Sequence, residues 1–113
     1  MDILFKNSAL KKKCTKGKDR IKAYGPNCAK RLGQRLDDLD AAESLEEFRY
    51  LPGRCHELHG SRAGTFALDL EHPFRLVFEP TEDPPPQKPD GGIDWSGVTS
   101  VRILSVEDYH GKK

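Results

Sequence analysis

The sequence predicts an α+β domain, N-terminal helices packed on a small twisted antiparallel sheet, and three observations predict it. Ala29, Leu32, Leu36 and Leu39 recur at helical spacing in the first third of the chain. From Thr65 onward the apolar residues alternate with polar neighbours, as in Phe66/Leu68/Leu70 and Phe74/Leu76/Phe78, which is the period of a half-buried strand. Between the two patterns stands Leu51-Pro52-Gly53, where the chain switches from one period to the other. The 113 residues suffice for a single domain, 1–113, with one modest core, and no internal repeat marks a second.

Taken in order, Ile3-Leu4-Phe5 reads as a short first strand, and Asn7 or Ser8 caps a helix running toward Cys14 that Gly17 ends. A second helix follows Gly25 with Pro26 in its first turn, where a missing amide hydrogen costs nothing, and its apolar stripe faces the core. Ser44-Leu45-Glu46-Glu47 has the form of a capping box for a short third helical turn. Strands are expected at Arg54–His59, Thr65–Leu70, Phe74–Glu79 and Val98–Val106, joined by turns at Gly60–Gly64 and Glu71-His72-Pro73. The proline- and glycine-rich stretch Pro80–Gly92, within an insertion spanning 80–97, is expected to be a long mobile loop without a ladder, its far end pinned by Trp95.

A third of the residues are charged and 35% are hydrophobic, so the core is thin. The net charge of +1 conceals an asymmetry. Lys6, Lys11, Lys12, Lys13, Lys16, Lys18, Arg20, Lys22, Lys30, Arg31 and Arg35 crowd the first third, and acids dominate from Asp37 to Glu47. Such a block attracts polyanions, RNA or an acidic protein, although each lysine taken singly also fits a solvated helix face. Cys14, Cys28 and Cys55 are an odd number without Cys-x-x-Cys spacing, which argues against a disulfide framework and fits a reducing cytoplasm. No apolar run approaches a membrane span, and Met1–Phe5 is too soon broken by Lys6 for a signal peptide, so no membrane partner is expected.

The residues that carry chemistry gather late. Val101–Val106 runs into Glu107-Asp108-Tyr109-His110, placing acid, phenol and imidazole at a strand's end. Cleaving RNA by internal attack needs a base for the 2′-hydroxyl, positive charge on the phosphorane and an acid for the leaving oxygen. His56, His59 and His110 carry imidazoles, a group whose unperturbed pKa of about 6.5 suits base and acid. Arg75, on a strand among apolar residues, suits bidentate phosphate binding, or else pairs across the sheet with an acid such as Asp69 or Glu57. Asp108 suits a base or an imidazole orienter, and Tyr109 a phosphate donor, a stacking platform or simply a core cap. Cys55, His56, His59 and His110 are zinc-ligand types, but Cys55 and His56, adjacent on a strand, point to opposite faces, so no metal or other cofactor is expected.

The order Leu-Pro-Gly at 51–53, His56, Leu-x-Gly-x-Arg-x-Gly at 58–64, Arg75 in a strand and Asp-Tyr-His at 108–110 resembles the HigB branch of the RelE-type toxins of toxin–antitoxin pairs. The resemblance implies the RelE-like microbial RNase fold and a ribosome-dependent endoribonuclease acting on messenger RNA. It places His56, Arg75, Asp108, Tyr109 and His110 on positions used for catalysis. Arg62 falls in a turn that in the family looks structural or substrate-contacting, and His59, Arg62 and the lysines Lys11, Lys12 and Lys13 are left as RNA-contacting candidates. It also implies a cognate HigA-like helix-turn-helix antitoxin, with operator DNA reached through that antitoxin. Where many members carry a lysine in the Leu-Lys-Gly turn, this chain has His59, which is positive only when protonated. Two other functions fit the same fold: a ParE-like inhibitor of DNA gyrase that acts by binding alone, and a catalytically weakened toxin that survives as the antitoxin-binding half of a repressor complex.

Overall fold

A computed structural model describes residues 1–108; Tyr109 and His110 lie outside the described residues. The chain opens with strand β1 (Asp2–Phe5), followed by helices α1 (Ser8–Thr15), α2 (Gly17–Tyr24) and α3 (Pro26–Ala41). A 3₁₀ turn at Leu45–Arg49 leads to strands β2 (His56–Glu57), β3 (Phe66–Asp69), β4 (Phe74–Pro80) and β5 (Ser100–Asp108). The strands form one sheet in the order β1-β5-β4-β3-β2. The α+β architecture is the expected one, with one difference: β1 lies parallel to β5, so the sheet is mixed rather than purely antiparallel. Three helices separate β1 from the rest, and a connection of that length permits parallel pairing, which a hairpin turn forbids.

Asn7 caps α1 as expected, its side chain accepting from the Leu10 amide at 2.8 Å. Gly17 does more than end that helix: it begins α2. No residue of α2 is fully buried and Ile21 is half exposed, so the helix carries no apolar stripe that sequence periodicity could register. Pro26 occupies the first position of α3, whose buried residues are Cys28, Ala29, Leu32, Arg35 and Leu39. Arg35 therefore does not belong to the solvated basic block. Its Nε donates to the Asp69 carbonyl at 2.9 Å, tying α3 to β3. The capping box does not form at Ser44; the Glu47 carboxylate instead accepts from the Glu43 amide at 2.8 Å.

Phe66, Leu68, Leu76, Phe78, Val101 and Ile103 meet Cys28, Leu32, Leu39 and Phe48 in one buried cluster, so helices cover one face of the sheet. Strand β2 is much shorter than expected because Gly53 (φ 115) and Arg54 (φ 50) lie outside strand geometry before it and a 3₁₀ turn at Gly60–Arg62 follows it. The Pro80–Gly92 stretch is locally ordered: Gln87 bridges Ile93, and the Lys88 amide donates to the Gly92 carbonyl at 2.7 Å. The bridge is isolated and adds no strand to the sheet; its donors are the amides of Lys88 and Asp94, and Pro86, which has no amide hydrogen, only accepts. Trp95 pins the end of the insertion, standing edge-on to Phe66 (centroids 5.3 Å apart) beneath the Arg49 guanidinium at 4.1 Å.

Candidate active site on the helix-free sheet face

Strand alternation assigns the remaining side chains to the opposite face of the sheet. In register, His56 stands opposite Ala67, Ala67 opposite Val77, and Val77 opposite Ser105. One pleat repeat along, Asp69 stands opposite Arg75 and Arg75 opposite Glu107. These two rows lie on one face because directly paired residues share a side, and successive residues alternate. Two strand spacings and one pleat repeat separate the His56 and Arg75 backbones by roughly 12 Å, a span that a bound nucleotide and a long arginine side chain can bridge.

Glu107, at the end of the second row, gathers its polar contacts. Arg62 grips it with both terminal nitrogens, Nη1 to Oε1 at 2.9 Å and Nη2 to Oε2 at 2.5 Å. Ser105 Oγ donates to Oε2 at 2.7 Å, and Arg75 Nη2 stands 3.6 Å from Oε1. The turn that delivers Arg62 depends on glycine at both ends, Gly60 at φ 68 and Gly64 at φ 91, conformations that cost L-residues steric strain. Glu57 closes the same turn by accepting from the Gly64 amide at 3.2 Å. Arg75 thus does pair with an acid across the sheet, and that acid is Glu107 on β5. Glu57 holds the turn, and Asp69 accepts two bonds from Arg54, at 2.6 and 3.2 Å.

Hydrogen bonds from Arg62 and Ser105, together with the charges of Arg62 and Arg75, hold the Glu107 carboxyl down at about 2 against partial burial. Glu107 is ionised at neutral pH, too weak a base to take a hydroxyl proton, and serves to aim two guanidinium groups. Its folded value lies below the ordinary 4.5, so its contribution to stability is complete above pH 4.5 and is lost as the pH falls toward 2. The gap corresponds to roughly 3 kcal/mol, and solvent screening at the half-exposed Arg62 reduces this to about 1–2 kcal/mol. The stability difference between wild type and Glu107→Gln is therefore expected to be about 1–2 kcal/mol at pH 7 and to vanish near pH 2. Urea titrations at several pH values measure it, and a pH-independent difference would contradict this account.

The sequence-derived candidates are only partly brought together. His56, Arg75 and Arg62 lie on or over the helix-free face. Asp108 is paired with Phe74 and alternates with Glu107, which sets it on the helix side at the strand's end. Tyr109 and His110 follow it outside the described residues. His59 is exposed at the entrance to the Gly60–Arg62 turn. Lys11, Lys12 and Lys13 are exposed on α1, in the helical layer rather than beside Arg75. Glu107 was missed as a site residue; the signal for it was its spacing of two from Ser105 on a strand facing Arg75, which needs the register to be read. Burial pushes the Cys55 thiol up to about 12, so it offers little thiolate for a nucleophile or ligand. Among the described residues no group of three or more His, Cys, Asp and Glu side chains is arranged to hold a metal ion, and no helix is long and apolar enough to cross a membrane.

No protein-family model and no curated protein matches the chain. Among solved structures it is similar to the YoeB dimer from Staphylococcus aureus, at 16% identity and a TM-score of 0.54, over 95% of this chain and 94% of that one. The helices, the sheet and the face that carries Arg62, Arg75 and Glu107 are thus set in a fold that this chain shares, over nearly its whole length, with that YoeB structure.

Proposed function

We propose that this protein is the toxin of a toxin–antitoxin pair, a HigB-like endoribonuclease that cleaves messenger RNA on the translating ribosome. The observation that carries the reading is the convergence of Arg62 and Arg75 on Glu107, at the end of the strand that leads into Asp108-Tyr109-His110, with His56 on the same face. A binding protein has no need of titratable groups and paired guanidinium groups arranged around one strand end. Arg62 spends both terminal nitrogens on Glu107, so the role of holding the scissile phosphate falls to Arg75, whose guanidinium carries five donors in a planar fork. His56 takes the 2′-hydroxyl proton. His110 protonates the leaving 5′-oxygen, Tyr109 orients the substrate, and Asp108, from the helix side of the strand's end, orients His110. The basic residues of α1, Lys11, Lys12 and Lys13, together with His59, contact ribosomal or messenger RNA through their charge.

In this reading the protein works in the cytoplasm without a metal or other cofactor. Its partners are the ribosome, the message and a HigA-like helix-turn-helix antitoxin through which operator DNA is bound. The test is primer extension on a reporter message in a reconstituted translation system, with wild type, His110→Ala and a reaction lacking ribosomes. Wild type is expected to produce new 5′ ends that disappear in both controls, the variant losing about 10²–10⁴-fold in rate as expected for removal of a proton-transfer group. Absence of cuts, with inhibition of gyrase supercoiling by the same protein, would replace the nuclease reading with a ParE-like one.

A further inference from the structure

Arg54 is the only described residue other than glycine with a positive φ, at 50°, and it stands two residues before His56. A left-handed conformation at a residue with a side chain persists where its surroundings hold it. Here they do so at three points. Arg54 Nε and Nη2 donate to the two carboxylate oxygens of Asp69, at 2.6 and 3.2 Å. The Asp69 amide donates to the Gly53 carbonyl at 2.7 Å. The Asp69 carbonyl accepts from the buried Arg35 at 2.9 Å, so the anchor itself is fixed to α3. Gly53 and Arg54 are strapped to β3 through both backbone and side chain.

The strapped segment presents the Arg54 carbonyl to His56, whose Nδ1 lies 2.7 Å from it. A carbonyl oxygen can only accept, so Nδ1 carries the hydrogen. In the neutral ring Nε2 is then the bare nitrogen, the form that a general base requires. We infer that Arg54 and Asp69 form a positioning pair that fixes the tautomer and orientation of His56, making Nε2 its proton acceptor. The inference rests on the nuclease reading for its purpose but on geometry alone for its content. It adds two residues that touch no reacting atom: Asp69, otherwise an ordinary cross-strand partner of Arg75, and Arg54, whose exposed side chain looks like a dispensable surface charge.

The test uses the full chain labelled with ¹⁵N-histidine, in which long-range proton–nitrogen correlation spectra show which ring nitrogen carries hydrogen. The His56 signals are assigned by their loss in His56→Gln. Wild type is expected to hold neutral His56 as the Nδ1–H form, and Asp69→Ala and Arg54→Ala each to populate the Nε2–H form, with no further change in the double variant. Asp69→Asn keeps the side chain's shape and every backbone bond and is the variant to use should Asp69→Ala fail to fold. In cleavage assays Asp69→Ala and Asp69→Asn are expected to lower kcat on the order of tenfold, part of the 10²–10⁴ that a general base supplies, with KM little changed. An Nε2–H form in wild type, or an Nδ1–H form undisturbed in folded variants, overturns the positioning pair. A tautomer that shifts as expected in a protein that cuts no RNA leaves the pair standing and overturns the nuclease reading instead.

Discussion

Replacing Arg75 with alanine is expected to lower RNA cleavage by about 10²–10³-fold, the loss seen when a preorganised donor to a developing anionic charge is removed. The protein is expected to stay folded. Glu107 keeps Arg62 and Ser105 as partners when Arg75 is gone, so its carboxylate is not left uncompensated. The Arg75–Glu107 contact, at 3.6 Å, is long, and its loss costs at most about 1 kcal/mol. Arg75→Lys retains the charge without the planar fork and is expected to recover only part of the rate. Single-turnover cleavage of a reporter message, paired with thermal melts, separates the two effects. Wild-type cleavage by a folded Arg75→Ala protein would remove Arg75 from the site.

The largest expected effect on stability belongs to Gly53→Ala. The glycine sits at φ 115, and a Cβ built there meets Leu68 Cδ1 at 2.9 Å and Arg35 Nε at 3.0 Å. Neither neighbour has room to withdraw, since Leu68 is fully buried and Arg35 is 6% exposed and bonded to Asp69. Backbone strain of about 1–3 kcal/mol and overpacking of about 1–3 kcal/mol add to an expected loss of about 3 kcal/mol, a large share of the stability of a small domain. Gly60→Ala is the comparison: its φ is 68, but open space surrounds its Cβ position, so the strain alone, about 1 kcal/mol, is expected. Chemical denaturation midpoints rank the two variants. Equal losses would show that the contact with Leu68 and Arg35 does not matter.

Gly53 also shows why sequence reading reached as far as it did. Leu-Pro-Gly announced a break between helix and sheet, because proline and glycine act through backbone torsions that any context inherits. That glycine is required there by Leu68 and Arg35 is a fact about α3, β3 and the loop meeting in space. The helix α2 escaped notice because it buries no complete side chain. In the candidate site, His56, Arg62 and Arg75 were legible as residue types suited to phosphodiester chemistry, in the order of a known motif. Glu107 was not, and Asp108 was preferred in its place, because which of two adjacent acids faces an arginine two positions into a neighbouring strand depends on register.

The sequence by itself determined the class of fold and the positions of α1, α3, β3 and β4. All of these follow from local torsional preference or from periodicity along one element, quantities that neighbours in the chain decide among themselves. Only the tertiary structure decided that β1 joins parallel to β5, that Arg35 is buried, and that Arg54 folds back on Asp69 to present its carbonyl to His56. It also decided that Arg62 and Arg75 share Glu107. Most of these join residues distant in sequence through strand register and side-chain reach, and a shift of register by one residue would part Arg75 from Glu107 by turning one of them to the other face.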